Sequence, residues 1–181
     1  SGHKGLLGPQ GVGVLYIGPE VELATLIEGG TGSRSESLEQ PVVCPDRFEA
    51  GTPNTPGIAG LGAGIGVVEK EGVAAIGRRE LALAQGLWQQ IRGTEHIAVK
   101  GPWQRFYGDT DAFDEPSEVG DVPRMAPIVS LSIEGLSSAE VARVLDKQFH
   151  IAVRAGLHCA PEVHRVAGTL EGGLVRLSVG H

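Results

Sequence analysis

The sequence predicts an α/β protein in two parts. Three observations carry the prediction: short apolar runs rich in β-branched residues and bounded by glycine, two stretches with apolar residues spaced by three and four, and a strand-helix-strand pattern in the last third of the chain. With 181 residues, 41% hydrophobic and 20% charged, the chain is long enough to bury one ordinary core or two small ones.

The elements follow in order. Val12 to Ile17, Val-Gly-Val-Leu-Tyr-Ile, reads as a buried strand with the His3-Lys4 loop at its edge. Thr25 to Thr55 is polar and turn-rich, longer than a plain connection, which is the mark of a functional loop. Pro56 to Glu71 is helical by the spacing of Ile58, Leu61, Ile65 and Val68, although each glycine inside it costs about 1 kcal/mol of propensity relative to alanine. Val73 to Ile91 is a second helix, with Ile76, Leu83, Leu87 and Ile91 on one face and Arg78, Arg79, Glu80 and Gln89 on the other; it is expected to pack beside the first.

Residues 101–124 gather acids, glycines and prolines around Trp103, Phe106 and Tyr107 and read as an irregular connection. Beyond it, Ile128 to Ile133 is a strand and Ser137-Ser138-Ala139-Glu140 is a capping box opening a helix to about Phe149. Ile151 to Val153 is read as the next strand, Ala160 to Ala167 as a short helix, and Leu174 to Val179 as a strand with one polar face. The domain boundaries expected are therefore 1–100, a connection at 101–124, and a small α/β domain at 125–181.

Composition excludes several classes of function. No apolar stretch reaches the roughly 18 residues of a membrane span, and the first residues show no signal-peptide core, so cytoplasmic residence is the default expectation. A formal charge of −7 disfavours nucleic acid and anionic membrane as partners, because either needs clustered Lys and Arg. Cys44 and Cys159 lack the spacing of a disulfide framework or a zinc ribbon, so free thiols and no metal are expected. The 28 glycines concentrate near residues 2–18, 29–32 and 51–66 without a repeat, where tight turns or close approach of backbone to a ligand need residues without a Cβ. That distribution suggests a cofactor-binding enzyme acting on a small molecule.

Four segments carry a resemblance. Ser1-Gly2-His3-Lys4-Gly5 followed by Gly8-Pro9-Gln10-Gly11-Val12-Gly13, then Arg47 to Asn54 with Gly51-Thr52-Pro53-Asn54, then Val153 to Pro161 with Arg154, His158 and Cys159, and last Gly173 to Ser178 with Arg176, are similar to segments of the class V aminotransferase-fold enzymes that use pyridoxal phosphate (PLP), in the cysteine desulfurase branch. The resemblance implies fold type I, with this chain corresponding to the carboxy-terminal part: the end of the large domain plus the small α/β domain.

It also implies roles. Lys4 is the lysine that carries PLP and moves protons at the substrate Cα; Ser1 and His3 reach the cofactor phosphate; Thr52 reaches the phosphate of a neighbouring subunit, which implies a homodimer. Cys159 takes the sulfur, on a loop where the basic neighbours Arg154 and His158 favour thiolate. Arg176 holds the substrate carboxylate, with Arg154 beside it as a further substrate-binding residue, because a guanidinium fork binds a carboxylate through two parallel hydrogen bonds. Cys44 has no counterpart. The implied reaction converts L-cysteine to L-alanine with a persulfide on Cys159. Selenocysteine lyase, another class V lyase or aminotransferase, and a non-catalytic fragment stand as the alternatives. The turn Gly168 to Gly173 resembles a desulfurase-like subgroup rather than the best-known members. The resemblance leaves the family's first half unmatched, so a missing amino-terminal half or another chain is expected to complete the site, the chain alone is expected to bind PLP poorly and self-associate, and a sulfur-acceptor protein is a candidate partner.

Overall fold

The computed structural model describes residues 1–103 and 125–180. The expected connection at 101–124 lies, beyond Trp103, outside the described residues. Contacts divide the chain into two compact units, Ser1–Gly72 and Val73–His181.

The first unit is organised by helix α1, Thr55–Glu71. Its ends are set by sequence: the Asn54 side chain accepts the Gly57 N–H at 3.1 Å, and Gly72, at φ 85°, closes the helix with its N–H donating to Val68 O. Gly57, Leu61 and Gly64 form its buried stripe. The glycines are there because the amino-terminal loop lies directly on the helix backbone: a Cβ on Gly57 would come within 2.6 Å of the Val12 side chain, and one on Gly64 would strike Leu6 O and the Leu7 backbone. A short 3₁₀ turn, Asp46–Phe48, interrupts the irregular stretch before α1. That stretch is held by Gly51 N–H donating to Gly30 O at 2.8 Å and by Arg47 Nη2 donating to Leu23 O at 2.8 Å.

Val12 to Ile17 is not a strand. Among the described residues the segment has no ladder partner, and Val14, Leu15 and Tyr16 are 64, 72 and 83% exposed. Apolar β-branched composition supplies propensity, but a strand exists only where a neighbour takes its hydrogen bonds.

The second unit opens with α2, Val73–Ile91, and contains an antiparallel sheet of order β1-β2-β4-β3: Ile97–Lys100, Ile128–Ile133, Leu174–Ser178 and Arg154–Gly156. Helix α3, Ser138–Phe149, follows β2, and α4, Pro161–Val166, lies between β3 and β4. The capping box at α3 is complete, with Glu140 N–H donating to Ser137 Oγ and Ser137 N–H donating to Glu140 Oε2. Strand alternation separates two faces. Val129, Leu131 and Val175 turn toward the helices and pack against Leu81, Ala84 and Trp88 of α2 and Val141 of α3. Ser130, Arg176 and Arg154 stand in cross-strand register on the other face.

Two details depart from the sequence reading. The strand placed at Ile151 to Val153 begins instead at Arg154. His150 caps α3 in the left-handed region at φ 56°, and Ile151 N–H donates back to Leu145 O at 3.0 Å, so the chain is still leaving the helix where a ladder was expected. Ile97–Lys100 is an edge strand with no expectation attached; four residues, bounded by Gly93 and Gly101, are too few for alternation to be noticed. Among the described residues no helix is long and apolar enough to cross a membrane.

Candidate active site

The proposed site residues fall into two groups, one in each unit. In the first, Ser1, His3 and Lys4 share a turn closed by Gly2 N–H donating to Val12 O at 2.9 Å, Gly8 N–H donating to Gly2 O at 2.8 Å and Leu7 N–H donating to Lys4 O at 2.9 Å. Gly2 must be glycine: a Cβ there would lie 2.9 Å from Val12 O. With its backbone pressed onto α1, the loop turns its side chains outward, and Lys4 is exposed. Ser1 Oγ and His3 Nδ1 are 3.2 Å apart, so a hydroxyl and an imidazole lie side by side next to the lysine. Thr52 is exposed and lines a cleft of about 260 Å³ with Gly11, Gly13, Gly51 and Asn54.

The second group surrounds the turn after β3. Gly156, at φ 99°, leaves the strand, and His158 and Cys159 follow at φ 55° and 60°. Two consecutive non-glycine residues in the left-handed region are uncommon and cost of order 1 kcal/mol each, so something must hold them. The holding contacts start from Arg154. His158 Nε2 lies 3.0 Å from Arg154 O, and since a carbonyl only accepts, Nε2 carries the proton. Arg154 Nη2 donates to Cys159 Sγ at 3.1 Å, which sets a cation against an exposed thiol. Arg176, directly across from Arg154 on β4, has its Nε buried without a hydrogen-bond partner. Like charges opposite each other in a sheet are unfavourable, and a buried unpaired donor is costly, so an anion on this face would relieve both.

Burial lowers the His158 imidazole below the ordinary histidine range; the cations Arg176 and Arg154 and the neighbouring His164 act in the same direction, while the bond to Arg154 O opposes them. A lowered folded-state value means that the unfolded chain binds the proton more readily, so His158 contributes stability above about pH 6.5 that is lost as the pH falls toward and through the folded value. His158→Gln keeps an amide donor for Arg154 O but does not titrate. Its melting temperature is expected to fall less steeply than the wild type's below about pH 6.5; parallel curves from pH 8 to pH 5 would contradict this.

The residue that sequence reasoning missed is His164. It is 97% buried on the short helix α4 (3% exposed), its Nδ1 sits 2.9 Å from Thr169 Oγ1, and its ring centroid is 5.5 Å from that of His158. A fully buried histidine five residues before a threonine leaves no periodic signal in a sequence. A larger cavity of about 520 Å³, lined by Trp88, Arg92, Ile97, Val99 and Trp103 among others, contains none of the proposed site residues.

The residues present fit PLP on this geometry: an outward lysine on a glycine-packed turn, and hydroxyl and imidazole donors of the kind a phosphate accepts from. Comparisons with known proteins place the chain in a family. The aminotransferase class V family matches residues 1–181. A probable cysteine desulfurase of Pyrococcus abyssi is 39% identical over 88% of this chain and 36% of its own length, and one of Methanothermobacter thermautotrophicus is 34% identical over 98% of this chain and 41% of its own. The apo structure of a cysteine desulfurase from Thermococcus onnurineus is 33% identical over 99% of this chain and 41% of that one, with a TM-score of 0.71. The Escherichia coli desulfurase CsdA, at 22% identity and a TM-score of 0.74, shares the fold. The chain therefore spans about two-fifths of the length of the relatives it matches.

Proposed function

Because this chain belongs to the class V aminotransferase family, we propose that it contributes the lysine and the sulfur-accepting cysteine of a PLP-dependent cysteine desulfurase. The observation that supports this reading best is the Arg154–Cys159 contact, with Arg154 in register with Arg176, whose buried Nε has no hydrogen-bond partner among the described residues. The relatives are named cysteine desulfurases, and the substrate follows from that likeness. On this assignment residues 1–100 belong to the large cofactor-binding domain and residues 125–181 to the small domain.

When bound, PLP would supply an electron sink for the substrate carbon. Lys4 would carry the cofactor and move the proton at the substrate Cα, with Ser1 and His3 donating to its phosphate. Arg176 orients the substrate through its carboxylate. Arg154 holds the Cys159 sulfur by its hydrogen bond, and that sulfur, once deprotonated, attacks the substrate sulfur: the Cβ–S bond breaks with its electron pair left on carbon, an S–S bond forms, and Cβ takes a proton to give alanine. Thr52, exposed on its cleft, would serve the phosphate of the second subunit of a homodimer. The persulfide would pass to an acceptor thiol, free or on a protein. Selenocysteine suits the same groups.

The test is mass spectrometry of the PLP-loaded protein. Borohydride treatment should fix the cofactor on the peptide bearing Lys4, and L-cysteine should add one sulfur atom to the peptide bearing Cys159 with an equal yield of alanine. Sulfide, pyruvate and ammonia without sulfur on Cys159 would replace the desulfurase reading with a lyase that does not use the thiol.

A further inference from the structure

We propose that His164 is a positioning residue for the sulfur-accepting cysteine, acting through the ring of His158; the reaction it serves rests on the function proposed above, but the geometry does not. The turn that presents Cys159 has a construction problem. Residues 158 and 159 both occupy the left-handed region without being glycine, and both His158 and Cys159 are at least partly open to solvent, so the turn has little core of its own.

What fixes it is a short chain of contacts that starts in the interior. His164 is buried, and it is anchored two ways to Thr169, its Nδ1 pairing with Thr169 Oγ1 at 2.9 Å and its carbonyl accepting the Thr169 N–H at 2.8 Å, while Thr169 O in turn accepts the Gly173 N–H at 2.9 Å. Gly173 itself abuts the start of the turn, since a Cβ there would lie 2.7 Å from Gly156 Cα. The His164 ring is thus fixed relative to both strands that flank the site.

Against that fixed ring the His158 ring rests, centroid to centroid at 5.5 Å and tilted by 53°. This contact limits where His158 Nε2 can point, and it points to Arg154 O at 3.0 Å. The same arginine's Nη2 reaches Cys159 Sγ at 3.1 Å. His158 therefore clamps the backbone of the residue whose side chain donates to the thiol, and His164 holds the clamp. Neither imidazole touches the sulfur in this arrangement, so the effect is positional.

The test is alkylation of Cys159 by iodoacetamide in the folded protein, a reaction that needs neither PLP nor substrate. Exchanging Cys44 for serine first leaves a single thiol. In that background His164→Ala should slow alkylation at pH 7 by about tenfold, the size of a lost charge-assisted hydrogen bond to sulfur. Thr169→Val, which removes one anchor and leaves the ring, should give a smaller change in the same direction, and His164→Gln, able to bond Thr169 again, should recover part of the rate. In the loaded enzyme kcat should fall while KM for cysteine stays near its wild-type value, because Arg176 is untouched. A folded His164→Ala variant with an unchanged alkylation rate overturns the proposal. If His164→Ala fails to fold, Thr169→Val decides, and wild-type alkylation in that variant overturns it equally. Failure of sulfur transfer in the wild type, with alkylation responding as described, would remove the desulfurase reading and leave the positioning role intact.

Discussion

Cys159→Ser in the PLP-loaded enzyme is expected to abolish sulfur transfer, lowering alanine formation from L-cysteine by roughly 10³-fold or more, while cofactor binding and substrate binding persist. The effect should be large because serine keeps the shape and loses the chemistry. Its hydroxyl accepts a hydrogen bond from Arg154 as the sulfur does at 3.1 Å, so the turn survives. A hydroxyl supplies no soft anion near neutral pH, whereas a thiol with an unperturbed pKa of about 8.5 is already partly ionised there. Chemistry should therefore stop after binding, with KM for cysteine little changed because Arg176 on β4 still receives the carboxylate. Full sulfide production by Cys159→Ser, with pyruvate and ammonia in place of alanine, would mean that sulfur leaves unaided and that the thiol is structural. Transamination in the wild type without any release of sulfur would instead identify an aminotransferase.

Lys4→Ala is expected to be as severe for a different reason. The chain has four lysines, and only Lys4 combines an outward amine with the adjacent hydroxyl and imidazole of Ser1 and His3. On the function proposed above its loss would remove the covalent anchor of PLP and the base at the substrate Cα together, so activity should fall by roughly 10³-fold or more and borohydride should fix no cofactor on the chain. The backbone of the turn, held by Gly2, Gly8 and Leu7 N–H groups rather than by the lysine side chain, should be unaffected. Cofactor trapped in normal yield on Lys70, Lys100 or Lys147 would reassign the anchor.

How far the sequence carried these conclusions depended on the range of the forces involved. Helices α1 and α2 and the capping box at Ser137 are local: Asn54, Gly72 and Glu140 act within a few residues of the groups they satisfy, and their positions were legible. The strands were legible only where alternation was long enough to see, as at Ile128–Ile133. Val12 to Ile17 had the composition of a strand and no partner, and Ile151 was captured by the closing turn of α3. The site divides the same way. Lys4, Cys159 and Arg176 came from motifs, and Arg154 from its nearness to Cys159 in sequence. His164 depends on a contact between rings on different turns, which no spacing reveals, and the register that sets Arg154 across from Arg176 is a property of the folded sheet.

The strand order also dictates a sequence of events during synthesis. β3 has one ladder neighbour, β4, which is translated after it and which lies between β3 and β2. While the ribosome is still adding residues 157–173, Arg154–Gly156 has no strand to dock on, and the turn bearing the thiol hangs from an unpaired edge. Arg154 thus lacks the ladder that holds it beside Cys159 until Leu174–Ser178 emerges and slides between two strands already made. Pairings such as Ile128 with Ser178 span a long stretch of chain, which makes this closure a slow step by loop entropy. Nascent chains arrested just short of β4 should consequently show Cys159 in whatever oxidation state the surrounding medium imposes, a window of vulnerability written into the topology of a sheet whose central member is made last.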